Sequence, residues 1–308
     1  MSAKKQHYVP QFYLRRFANE ERFFAYDKQR RHLYPTNVRD VASERYFYDV
    51  PAFDSVAGVA QALESFFQPF ETAGAVVVAY LDELELLSGA GVIRDQDRID
   101  LSLFLGLQYL RTKEARESLA QLNEALEKTK FLAFLRQTAP DLEATGEMFD
   151  LTSSDERRAL VHATAVLDED TRIAASGWIH RHYWILLRNV TAIPFVTSDH
   201  PVAVHNSVGG RTYALGGLGN FGTEVAYPLS TRTLLLAVER RAFPQGAALN
   251  GTMQVAANPE HIVYYNSLQV LYSYSQVFGP KEGLDLAADM VKETPELGNP
   301  TVRRIDIR

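Results

Sequence analysis

The sequence predicts an α+β fold: an N-terminal β-hairpin element, a central helical bundle, and a C-terminal, largely antiparallel sheet with a closing helix. Three observations carry this reading. Aromatic runs separated by polar turn residues fill positions 1–50, apolar residues at three- and four-residue steps dominate 54–175, and short apolar runs bounded by Pro, Gly, Asn or Ser follow Trp184. A chain of 308 residues can bury a sizeable core. It is read as a single composite domain, 1–308, in which residues 1–50 pack on a sheet within 180–240.

Taken in order, Arg22–Asp27 and His32–Pro35 flank the polar tetrapeptide Lys28-Gln29-Arg30-Arg31 and predict a hairpin, and the run Glu44–Asp49 predicts a further strand. Val56, Val59, Ala60, Leu63, Phe66, Phe67 and Phe70 recur with helical period, and Pro69 is expected to end or kink that helix near Gln68. A second helix is expected to run to Leu87 and stop at Ser88–Gly91. A third, beginning near Asp95, carries Ile99, Leu103, Phe104, Leu107 and Leu110. Thr138–Thr152, with Pro140 and Gly146, reads as a linker or excursion. The Ser153-x-x-Glu156 spacing then predicts a capped helix reaching the Trp178–Trp184 region, with a break near Gly177. Asn258-Pro259 predicts the start of the closing helix and Gly279-Pro280 its end.

Composition narrows the function. Charged residues make up 23% of the chain and the formal net charge is −6, which disfavours broad nucleic-acid binding or attachment to an acidic membrane. With no cysteine there is no thiol nucleophile and no Cys-ligated metal. No apolar stretch approaches a membrane span and no signal peptide is recognised, so a bacterial-type cytoplasmic protein is expected. The strings of a nucleophile elbow, a phosphate loop and a zinc-protease helix are missing.

The chemistry-bearing candidates are few. His7 precedes Tyr8-Val9-Pro10, and Pro10 holds the residue before it extended. A histidine on such a segment can serve as general base, general acid or metal ligand, or can pin the N-terminus to a neighbouring strand. Ser198-Asp199-His200-Pro201 follows the apolar Pro194-Phe195-Val196. Asp199 there can orient a histidine, ligate a metal or form a turn, and Ser198 can bond the turn or act as nucleophile. Arg111 shares a helix face with Gln108 and lies beside an apolar stripe, so it needs an anionic partner, with Asp199 or a bound anion the expected one. Glu64 and Glu71 are seven apart and could join His7 and Asp199 around a divalent cation, or face solvent. His180 and His182 alternate with Trp178, Tyr183 and Trp184 and are expected on a strand, as a weak metal pair or a polar face. His200 is expected to be exposed. Tyr264, Tyr265, Tyr272 and Tyr274 give the last helix an aromatic surface, read as core packing rather than base stacking.

The strings His7-Tyr8-Val9-Pro10 and Ser198-Asp199-His200-Pro201 together resemble the two signature motifs, H-Y-V-P and S-D-x-P, of the uncharacterised family DUF4238. That family has no established activity, so the resemblance marks positions and not a reaction. Two functions remain open on the sequence. One is a hydrolase-like enzyme, metal-assisted and acting on a phosphodiester or amide, whose site joins His7, Ser198 and Asp199, with Arg111 anchoring a small-molecule or anionic substrate. The other is a non-enzymatic binding or regulatory protein in which both motifs are structural clasps.

Overall fold

The computed structural model describes residues 5–58, 61–84, 93–139, 152–209 and 215–299. It is an α+β protein. The chain opens with strand β1 (Lys5–His7) and helix α1 (Gln11–Leu14), then the hairpin β2 (Arg22–Asp27) and β3 (His32–Asn37), and β4 (Ser43–Arg45). The helical part follows as α2 (Pro51–Ala57), α3 (Ala62–Glu83), α4 (Asp95–Leu110), α5 (Lys113–Thr138), α6 (Asp155–Leu167) and α7 (Glu169–Arg181). The remainder comprises β5 (Tyr183–Asn189), β6 (Thr197–Ser198), β7 (Ala203–Asn206), β8 (Thr223–Pro228), β9 (Thr233–Val238), β10 (Thr252–Ala256), α8 (Pro259–Tyr272), β11 (Gln276–Gly279) and α9 (Asp285–Glu293). None of the described helices is long and apolar enough to cross a membrane.

A five-stranded sheet runs in the order β10-β5-β9-β8-β7 and a four-stranded one in the order β3-β2-β11-β6. Pairing is antiparallel except between β10 and β5. The run Leu234-Leu235-Leu236-Ala237-Val238 is apolar throughout because β9 is covered on both faces. Leu235 and Ala237 join the main core with Tyr13, Phe104 and Trp184, while Leu234, Leu236 and Val238 pack with Ile262 and Leu268 of α8.

Several local expectations are corrected. Pro69 does not end its helix: it lies inside α3, which continues to Glu83. A proline in a helix interior costs about 3 kcal/mol, but this helix buries Leu63, Phe67, Val77, Val78 and Leu81. At roughly 1.5–3 kcal/mol for each large side chain, that burial outweighs the defect. The strand that follows the hairpin is Ser43–Arg45, paired with β1, and it stops before the aromatic run Tyr46–Tyr48. Tyr46 instead takes a left-handed φ of 58°, turning Phe47 and Tyr48 into the core. The cap of α6 is Ser154, whose side chain accepts from Arg157 N, one residue beyond the expected Ser153. The break in the following helices comes at Asp168, which caps α7, and not at Gly177. His180 lies in the last turn of α7 and His182 is its C-cap, so neither is on a strand. The expected helix stop at Ser88–Gly91 and most of the proposed linker lie outside the described residues.

The largest correction concerns the closing helix. Asn258 caps it as expected, but it ends at Tyr272, and Gln276–Gly279 becomes a strand paired with both β2 and β6. The residues that stop it belong to the candidate site.

Candidate functional site

The N-terminal motif is held mainly by its backbone. Pro10 sits at φ −61°, ψ 141° and keeps the segment extended before α1 begins. Its carbonyls point at the C-terminal turn of α4. Gln108 Nε2 donates to Tyr8 O at 2.9 Å, Arg111 Nε donates to the same oxygen at 3.2 Å, and Arg111 Nη2 donates to His7 O at 3.1 Å. Arg111 is 1% exposed, lies 4.7 Å from the Phe67 ring centroid, and donates through Nη1 to Glu71 Oε1 at 2.6 Å. Its carboxylate partner is therefore Glu71 and not the expected Asp199. Gln6, buried beside this segment, completes the arrangement by donating to Asp49 Oδ1 and accepting from Tyr48 N.

The His7 side chain is half-buried. Its Nε2 lies 3.3 Å from Arg39 O and its Nδ1 3.5 Å from Gln11 Nε2. Burial lowers its pKa, the Arg39 carbonyl opposes that, and the charges of Lys5 and Arg111 add to the lowering. The Glu71 charge opposes the lowering. Glu64 lies within electrostatic range of Arg111 and Glu71. Burial raises its pKa while Arg111 lowers it, and its Oε1 is buried without a hydrogen-bond partner among the described residues.

The second motif is closed to solvent. Ser198 and Asp199 are each 0% exposed. Asp199 Oδ1 accepts from Tyr274 N, and Oδ2 accepts from Ser275 N, Ser275 Oγ and Gln276 N, all between 2.8 and 3.0 Å. Burial raises the Asp199 pKa, and the Lys28 ammonium with these donors opposes it. Lys28 is itself buried and donates to Val270 O in the last turn of α8 and to Ser273 O at its C-cap. Thus one cation satisfies the end of α8 and one carboxylate gathers the next amides, which is why the helix stops at Tyr272. Ser198 Oγ donates to Gln269 Oε1 and accepts from His200 N, while Gln269 Nε2 donates to Pro201 O. His200, expected to be exposed, is buried with Nδ1 at 2.6 Å from Thr112 Oγ1.

No hydrogen bond or ion pair joins His7 to Asp199 among the described residues. Burial raises the pKa of the Tyr8 hydroxyl, and the Asp199 charge adds to the rise. Of the four residues expected to share a metal, Asp199 is committed to 274–276 and Glu71 to Arg111. Among the described residues no group of three or more His, Asp or Glu side chains is placed to hold a metal ion. The sequence offers no sign of Lys28, one member of the polar tetrapeptide between the hairpin strands, or of Gln269, one polar residue in an aromatic-rich helix. Neither carries a local signal, because what buries them comes from distant parts of the chain.

No curated protein and no solved structure matches the chain. The family model described as a protein of unknown function, DUF4238, matches residues 5–283, and the chain belongs to that family.

Proposed function

We propose that both motifs are structural clasps and that the protein is a non-enzymatic binding or regulatory protein. The observation that carries this is the state of Ser198 and Asp199, which have no exposure and whose oxygens are spent on the chain itself. A nucleophile or general base must reach the atom it attacks or deprotonates, and neither group has access to one. The same argument covers Arg111, whose fork is filled by Glu71 and two carbonyls and so presents nothing to an anionic substrate.

A second reading rests on one different observation: His7 is partly accessible, its pKa is lowered, and Glu71 and Arg111 lie near it. In a hydrolase-like enzyme His7 would be the base, without Ser198 or Asp199. One experiment separates the readings. The purified chain and its His7→Ala and Asp199→Asn variants are assayed on bis(p-nitrophenyl) phosphate and p-nitrophenyl acetate, with unfolding followed in parallel. The clasp reading expects no turnover above buffer and a stability loss confined to Asp199→Asn. Turnover by the native chain that disappears in a fully stable His7→Ala would overturn it.

A further inference from the structure

Six carboxylates among the described residues are buried: Asp27, Asp97, Glu117, Asp199, Glu224 and Glu239. Five are compensated in ways the structure shows. Asp97 has the Arg94 guanidinium on both oxygens, Glu117 has Arg158 and Gln121, and Glu239 has Arg241 with two backbone amides. Asp27 accepts from Arg30 N with the Arg30 side chain nearby, and Asp199 has its amides and Lys28. Glu224 is the exception. It is 7% exposed, and its one hydrogen bond among the described residues is a long one, from Tyr264 Oη at 3.4 Å. Among the described residues no cation is paired with it, and a carboxylate withdrawn from water is stabilised by a cation beside it.

Its surroundings say which kind. Glu224 on β8 is paired directly with His205 on the edge strand β7. Across this end of the sheet lie Tyr264 and Tyr265 of α8, their rings 5.1 Å apart at 70°. His205 stands edge-on to Tyr264 at 6.3 Å and shares a 2.8 Å hydrogen bond through Nδ1 with Tyr272 Oη. Tyr264 is 38% exposed, so its ring reaches the surface while its hydroxyl lies 3.4 Å from the carboxylate. The Tyr264 hydroxyl is pushed up to about 12, by burial first and then by the Glu224 charge.

We propose that Glu224, Tyr264, Tyr265 and His205 form a binding site for a small organic ammonium ion, with alkylated ammonium the preferred class. Aromatic faces attract a cation through their quadrupole, most strongly when water is displaced, and one carboxylate supplies the formal counter-charge. A hard metal ion is disfavoured here because it takes several oxygen ligands, and among the described residues Glu224 has one phenol oxygen beside it and belongs to no group of three or more metal-ligating side chains. This site uses no residue of the two clasps, so it stands or falls independently of them.

The test is calorimetric titration of the full chain with choline chloride at constant ionic strength. Its uncharged isostere, 3,3-dimethylbutan-1-ol, is titrated alongside, and both are repeated on Glu224→Gln and Tyr264→Ala. Choline should bind, the isostere should bind at least about tenfold more weakly, and each variant should lose about tenfold or more. Tyr264→Ala, at an exposed position, keeps the test decisive if Glu224→Gln fails to fold. Absence of choline binding at about 10 mM, an isostere that binds equally well, or binding unchanged in a folded variant would each overturn the proposal.

Discussion

Arg111 and Glu71 form a 2.6 Å ion pair in which the guanidinium is almost wholly buried and the carboxylate side chain is 30% exposed. The asymmetry matters, because Glu71 can fall back on water when its partner is removed and Arg111 cannot. Arg111 also holds His7 O and Tyr8 O, so it ties the N-terminal strand to the end of α4.

Arg111→Met is therefore expected to lower stability by about 2–4 kcal/mol, since two backbone carbonyls lose a charged donor at a buried site. Glu71→Gln should cost less, about 1–2 kcal/mol, because an amide oxygen still accepts from Nη1. Urea unfolding measures both. A variant Arg111→Met as stable as the native chain would mean that the carbonyls are rehydrated and that the clasp contributes little.

Asp199→Asn places an amide where three backbone N–H groups and one hydroxyl converge. The carboxamide NH2 must then face donors, and the charge opposing Lys28 is gone. A loss of about 3 kcal/mol or more is expected, against about 1 kcal/mol for Ser275→Ala, which removes one neutral donor. Equal losses in the two variants would contradict the assignment of Asp199 as the hub of this segment.

Much of the α+β order was legible because it rests on local periodicity. The β2–β3 hairpin, the start of α4 near Asp95, and the Asn258 cap each follow from residues within a few positions. The stop of α8 was not legible, because Gly279-Pro280 is the stronger local signal, while the groups that end the helix, Lys28 and Asp199, come from distant sequence. The site was legible as a pair of motifs and illegible in its wiring. His7 looked like the important member of its motif, yet the contacts to α4 are made by the carbonyls of His7 and Tyr8, which any side chain would supply. Glu224 carried no signal at all, because only burial makes a single carboxylate in a strand unusual.

Acid should unfold the chain over a defined range. His162 donates from Nε2 to Leu110 O and accepts at Nδ1 from Arg116 Nε, so the neutral ring satisfies both partners. Burial, with Arg116 adding to it, lowers its pKa to about 3, and burial lowers that of His182 to about 4. In the unfolded chain both protonate near 6.5. Between 6.5 and these values the unfolded state binds more protons, so stability is full above pH 6.5 and falls as the pH drops towards 3–4. At about 1.4 kcal/mol per unit of separation, the two rings together withdraw several kcal/mol. His162→Gln should flatten the urea midpoint between pH 6.5 and 4; an unchanged slope would mean that the carboxylates carry the acid response.

The last prediction uses two glycines on the helices that cross behind the first clasp. A Cβ added at Gly106 of α4 would lie 2.3 Å from Ser176 Oγ and 2.8 Å from Ser176 N, so the backbones of α4 and α7 must separate to admit it. Overpacking of this kind costs about 1–3 kcal/mol, and the backbone contact places Gly106→Ala at the upper end. Gly177 of α7 has nothing within 4 Å of its added Cβ, and its φ is not left-handed. There the substitution only removes the helix penalty of glycine, so Gly177→Ala should stabilise by about 0.5–1 kcal/mol. The opposite signs make the pair its own control. If Gly106→Ala is neutral, the close approach of α4 to α7 is not what sets their separation, and the position of Arg111 at the end of α4 must be fixed by the clasp itself.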